Sequence, residues 1–154
     1  MICIKEYNVT NDKYPIINIL NNIYVFELIY SLNPDLLQRL DKTLIDEDNM
    51  NLVCYMKNLS GLTLDNFYLD VSVKKSNKDN QIQYKITNNN FNFDNIQFKE
   101  FFVTITELND NHFTIKIKYS LNEDLYSRVI INILKKLIAK LFSNLETYLC
   151  KITI

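Results

Sequence analysis

One histidine, His112, is available for imidazole chemistry, and it stands in the stretch NDNH close to Asp110. An imidazole acting as base or metal ligand needs an orienting carboxylate and a pocket around it. Side chains of a tight polar turn ordinarily point to water, so His112 reads as a solvated turn residue. Asp46, Glu47 and Asp48 offer oxygen ligands to a divalent cation, but the run lacks the alternating spacing of a calcium loop and reads as a solvated loop. Cys3, Cys54 and Cys150 are odd in number, far apart and without a CxxC pair, which speaks for reduced thiols and against a disulfide framework or a zinc site. Gly61 is the sole glycine, and no GxGxxG, P-loop, nucleophile elbow or HExxH occurs, which excludes the common nucleotide-dependent enzymes. No catalytic residue, metal or cofactor is assigned.

The remaining chemistry is that of binding. Arg39 and Arg128 are the only arginines, and a guanidinium holds both oxygens of a carboxylate better than an ammonium does. Each reads as a surface salt bridge, with Arg128 also open to a role as carboxylate anchor facing a cavity. Ten tyrosines and nine phenylalanines make up 12% of the chain, and Tyr55, Tyr84, Phe101, Phe113 and Tyr119 fall on strand faces. Aromatics at alternating positions fill a core or line a pocket, and a tyrosine hydroxyl supplies a polar point in either.

Elements must exist to position these residues. With 154 residues the expectation is a single domain, 1–154, with a sizeable core. A hydrophobic share of 47% against 23% charged residues is that of a globular protein. Seventeen basic and eighteen acidic side chains, dispersed along the chain, leave no electrostatic footprint for nucleic acid. Lys5, Glu6 and Asp12 interrupt the apolar stretch that a secretory signal would need, so a cytoplasmic location is expected. The most apolar segment, VIINILKKLIAKLF, is cut by Lys135, Lys136 and Lys140 and cannot supply a membrane span. The Asn, Ile, Lys and Tyr bias is one that an AT-rich genome produces through codon composition alone.

Ile2, Ile4 and Tyr7 to Val9 read as a first strand, followed by Asn11 or Asp12 as a helix cap. Apolar residues at Ile16, Ile17, Leu20, Tyr24, Leu28 and Leu32 then keep helical spacing, with Asn21 and Asn22 able to split the helix and Pro34 ending it. DLLQRLDKTLI is ambiguous between helix and strand. NLVCYMKNL, NFYLDVSVKK, QIQYKIT, KEFFVTITEL and HFTIKIKYS read as strands, joined by polar turns such as SNKDN and NDNH into an antiparallel meander. From Asn122 as cap, Leu125, Val129, Ile133, Leu137, Leu141, Leu145 and Leu149 recur every four residues, which predicts one amphipathic helix over 123–150.

This order of elements resembles the helix-grip superfamily, which includes START lipid-transfer domains, the birch-pollen allergen and polyketide cyclases. The segments that carry the likeness are MICIKEYNV, the broken helix NDKYPIINILNNIYVFELIYSLNP, the meander, and the helix NEDLYSRVIINILKKLIAKLFSNLETYL. In size the chain is similar to stand-alone archaeal members associated with carrying fatty acids. The resemblance implies an α+β fold, an antiparallel sheet of six to seven strands wrapped around a long C-terminal helix, with an apolar cavity between the two.

Three functions follow as expectations. The first is a carrier of a hydrophobic small molecule, a fatty acid or similar amphiphile, held by Tyr84, Phe101, Tyr119, Leu125, Arg128, Val129, Ile133 and Leu137. The second is a cyclase- or hydrolase-type enzyme on a hydrophobic substrate, with Tyr84, Glu107 or Arg128 as its titratable group. The third is an interaction protein without a small ligand, docking through an exposed second helix stripe of Tyr126, Ile131 and Phe142. The protein is expected to be a monomer or a homodimer.

Overall fold

The computed structural model describes residues 2–57, 67–90 and 95–153. Gly61 and the ends of two expected strands, at Asn58, Leu59 and Asn66, lie outside the described residues. Seven strands, β1 (Cys3–Thr10), β2 (Leu37–Asp46), β3 (Asn49–Met56), β4 (Tyr68–Lys78), β5 (Gln81–Asn88), β6 (Phe98–Asn109) and β7 (His112–Leu121), form one sheet in the order β1-β7-β6-β5-β4-β3-β2. Every neighbouring pair is antiparallel. Alternation fixes the faces: Val71, Val73, Ile82, Tyr84, Val103, Ile105, Ile115 and Ile117 turn inward and are buried.

The hairpins are tighter than the polar stretches suggest. Lys78 pairs with Gln81 and Asn109 with His112, leaving two-residue turns. Asp79 and Asn111 take left-handed backbone at φ 55 and 53, which Asp and Asn tolerate better than bulkier residues. His112 is therefore the half-buried first residue of β7 and not the solvated turn residue expected. The ambiguous DLLQRLDKTLI is strand β2, which lies at the sheet edge.

After β1 the helix divides as its asparagines predict, into α1 (Ile17–Leu20) and α2 (Val25–Ser31). Asn11 does not cap α1. Its Oδ1 accepts from the Lys13 and Tyr14 N–H groups at 2.8 and 2.9 Å, and its Nδ2 donates to the Leu149 and Ile152 carbonyls at 2.8 and 2.7 Å. One buried carboxamide thus ties the end of β1 to the last turn of the C-terminal helix, whose carbonyls have no partner within the helix.

The unbroken helix expected over 123–150 is instead a 3₁₀ turn at Glu123–Leu125 followed by α3 (Arg128–Lys151). Tyr126 between them is extended, and its buried hydroxyl accepts from the Gln97 N–H at 2.8 Å and donates to the Asn95 carbonyl at 3.3 Å. The α3 N-cap is Ser127, whose Oγ accepts from the Ile130 N–H at 3.3 Å; Asn122 makes no side-chain cap. The face that α3 buries carries Leu134, Leu137, Ile138, Leu141, Phe142, Leu145 and Leu149. The second stripe expected to be exposed is not: Tyr126 and Phe142 are buried and Ile131 packs against the core.

Candidate ligand cavity

Toward the end of the sheet where β3 and β5 finish and β4 and β6 begin, the concave face and the helices do not close on each other. Leu37 and Leu40 of β2, with Leu52, Cys54 and Met56 of β3, form one wall. Leu69, Val71 and Val73 of β4, Ile86 of β5, and Ile96, Phe98 and Phe101 in and before β6 form the floor. Leu134, Leu137, Ile138, Leu141 and Phe142 of α3 form the roof, and Phe26, Ile29 and Tyr30 of α2 close one side. The innermost free space is about 100 Å³, and with the gaps between lining side chains and the open mouth it is about 810 Å³. Leu40, Leu69, Ile86 and Phe98 point to the concave side yet are only half-buried, with no side chain of the described residues filling the space before them.

The polar atoms of this lining are few. The Tyr30 hydroxyl donates to the Gln38 carbonyl at 3.3 Å. Burial pushes the Cys54 thiol up to about 12, so it is a neutral apolar-like group at physiological pH and not a nucleophile. Tyr84 lies beside the floor on the same concave face, fully buried, where its hydroxyl donates to the Leu20 carbonyl at 2.6 Å and Phe26 meets its ring edge-on at 5.1 Å. Burial, reinforced by the charge of Asp48, holds its hydroxyl well above the usual range. Tyr119 stacks on Phe101 at 5.2 Å and is likewise raised, by burial and by neighbouring Cys3.

Of the eight residues expected to hold a ligand, Phe101 and Leu137 line the cavity, while Tyr84 and Tyr119 lie beside it on the same concave face, packed against the lining residues Phe26 and Phe101. Ile133 is half-buried and packs on the core outside the cavity. Leu125, Arg128 and Val129 are corrected: all three are exposed, Val129 by 58%, because the chain breaks at Tyr126 and α3 then turns this side of its first turn to solvent. Glu107, a candidate for the enzymatic reading, is exposed beside the α1 end of the groove, in a separate polar recess with Asn21, Asn77 and Asp79. Arg39 makes the expected surface pair, 2.6 Å from Asp41, and lies over the Tyr55 ring at 4.8 Å.

The cavity wall on β2 and β3 was not foreseen, although Leu52, Cys54 and Met56 alternate in NLVCYMKNL. Nor was the asparagine frame beside it. Asn95, wholly buried, accepts from the Asp70 N–H at 3.0 Å and donates to the Asn90 carbonyl at 2.9 Å; Asn88 bonds the Ile96 carbonyl and the Phe98 N–H at 2.7 and 2.8 Å. These amides satisfy irregular backbone where β5 hands over to β6, a use of asparagine that composition cannot distinguish from codon bias.

A seven-stranded antiparallel sheet closed by a long C-terminal helix, with a short helix pair after the first strand, is the helix-grip fold. Solved structures share it over nearly the whole chain. Norcoclaurine synthase from Thalictrum flavum is similar at TM-score 0.61 and 12% identity, covering 99% of this chain and 87% of that one. A START superfamily protein from Mycobacterium smegmatis is similar at 0.58 and 10% identity, covering 96% of each. Major latex-like protein 151 from Panax ginseng is similar at 0.53 and 13% identity, again covering 96% of each. No protein-family model and no curated protein matches the sequence.

Proposed function

We propose that this protein binds and carries a hydrophobic small molecule between α3 and the concave face of the sheet. The observation that carries the reading is a cavity walled by aliphatic and aromatic side chains from five strands and two helices, left unfilled in an otherwise tightly packed interior. Empty apolar volume forfeits dispersion contacts and is retained at a cost, which an apolar ligand recovers. Burial contributes about 0.8 kcal/mol per CH₂, so a hydrocarbon chain is held without any polar contact.

The finer reading is a fatty acid or similar amphiphile. An innermost space of about 100 Å³ is smaller than the ~150 Å³ engineered cavity that takes up benzene, so a long chain enters only if lining side chains move apart. No cationic side chain is among the described lining residues, so a carboxylate would have to stay at the mouth, in water or beside a rim cation. Norcoclaurine synthase is an enzyme by its name. The corresponding reading here would need a titratable group in the cavity, where the lining offers the protonated Cys54 thiol and the Tyr30 hydroxyl.

Native mass spectrometry of the purified protein tests the carrier. A mass increment that organic extraction removes is expected, together with a melting temperature that rises on adding lauric acid; about 2.7 kcal/mol of added stability accompanies a ligand at one hundred times its Kd. A ligand-free protein whose melt no apolar compound shifts would refute it.

A further inference from the structure

We propose that the seam between α2 and β2 is the portal of the cavity, and that Lys42 there receives the anionic head group of a single-chain amphiphile in place of the Glu27 carboxylate. This rests on the carrier reading and adds to it a route and a head-group chemistry.

Cavity wall stands on both sides of the seam, Phe26, Ile29 and Tyr30 on α2 and Leu37 and Leu40 on β2, so a gap there opens directly into the apolar space. The seam has no backbone ladder, because β2 is the sheet's edge strand and its ladder partner is β3. Among the described residues, three polar side-chain contacts bridge it. The Tyr30 hydroxyl reaches the Gln38 carbonyl at 3.3 Å, Lys42 pairs with Glu27, and the Lys42 ammonium lies 5.1 Å from the Tyr24 ring centroid. Both partners of the ion pair are partly exposed, at 37% for Lys42 and 43% for Glu27, and pairs of that kind hold weakly. Both ends of α2 are anchored. Tyr84 and Lys75 bond the carbonyls of Leu20 and Asn21 before it, and Asn144 donates to Asn33 Oδ1 after it. What yields at the seam is therefore the set of side chains Glu27, Tyr30 and Lys42, with the helix staying in place.

The position of Lys42 gives it the second role. It pairs in register with Leu52, a wall residue, and Leu40 lies two residues along the same strand face, about 7 Å away. A chain lying against Leu40 and Leu52 brings its terminal carboxylate to the ammonium while that charge stays in contact with water, which avoids burying it unpaired. The Glu27 carboxylate already occupies the position that such a head group would take.

The test compares lauric acid with lauryl alcohol on the full chain, by calorimetry and stopped-flow exchange. Lys42→Gln weakens the acid about tenfold and leaves the alcohol within about twofold, the loss expected of one charge-assisted contact at a partly exposed site. Glu27→Gln frees Lys42, tightens the acid and speeds exchange of both ligands. Retained alcohol binding shows that each variant is folded with its cavity intact. Equal losses for acid and alcohol in Lys42→Gln, no loss for either, or exchange unchanged in Glu27→Gln overturns the portal and the anchor while leaving the carrier standing. Failure of the wild-type protein to bind either compound overturns the carrier and the portal with it.

Discussion

The concave groove has two ends made of the same kinds of residue and finished differently. At the α1 end, Ile16, Leu20, Tyr84, Phe113, Ile115, Leu145 and Leu149 are all essentially inaccessible, and the helix terminus is held by the Tyr84 hydroxyl on the Leu20 carbonyl and the Lys75 ammonium on the Asn21 carbonyl at 2.9 Å. At the other end Leu40, Leu69, Ile86 and Phe98 face free space. What distinguishes the two is what lies opposite the sheet. α1 fills the first end, whereas α2 and α3 bridge over the second without reaching its floor. The packed end gives the fold its rigidity, and the hollow end is where that rigidity is left unused and ligand volume becomes available.

Truncating the packed end produces the largest effect. Phe113→Ala removes a ring buried among strands and helices and is expected to cost about 3–5 kcal/mol in chemical denaturation. Leu137→Ala, on the cavity roof, enlarges a void that already exists and is expected to fall near or below the ~2 kcal/mol lower end for such truncations. Equal losses at the two positions would show that the two ends are packed alike. Enlargement reverses the order. Ile115→Phe has no room and is expected to destabilise by about 1–3 kcal/mol, while Leu69→Phe grows into the cavity, leaves the midpoint nearly unchanged and abolishes uptake of an apolar ligand.

Cys54 reports the hollow end through pH. Burial raises its thiol from an ordinary 9.0 to about 12, so above pH 9 the unfolded chain ionises while the folded chain keeps its proton. The unfolded state then binds fewer protons, and the stability associated with this group, complete below pH 9, is lost as pH rises toward 12. The loss amounts to about 1.4 kcal/mol at pH 10. Cys54→Val should remove that component from a series of denaturant melts between pH 8 and 10.5. A wild-type slope identical to that of the variant would mean that the thiol is already solvated through the mouth.

Much of the fold was legible because a sheet with one buried face writes itself as alternation: Leu69, Val71 and Val73, or Phe113, Ile115, Ile117 and Tyr119, admit one register only. The break between α1 and α2 was legible from Asn21 and Asn22. The start of α3 was not, for a geometric reason. Residues four apart on an α-helix advance about 400°, so a row taken every fourth residue drifts about 40° per step and cannot stay on one face. Counted back from Leu141, Val129 is three steps and about 120° round, and it faces solvent. The face that is buried mixes three- and four-residue steps through Leu134, Leu137, Ile138, Leu141 and Leu145. The cavity was legible only through the resemblance in element order, because hollowness is a property of the space between elements, and Leu52 reads the same whether or not something stands opposite it.

The smallest expected effect separates the start of α3 from the α2–β2 seam. Arg128 is the first residue of α3, exposed, with its side chain outside the cavity lining. A cation in the first turn faces the positive end of the helix dipole, which is mildly unfavourable and largely screened at the surface. Arg128→Ala is therefore expected to leave stability unchanged or raise it by up to about 0.5 kcal/mol, and to leave the binding of lauric acid unchanged. Lys42→Gln, likewise the loss of one positive charge at the surface, lies on the wall side of the cavity and should lose the acid selectively. Calorimetry on the two variants side by side decides between these places, because general electrostatic attraction of an anion would respond to both substitutions alike. A selective loss in Arg128→Ala alone would put the head group at the start of α3 and move the portal from the edge strand to the opposite side of the roof.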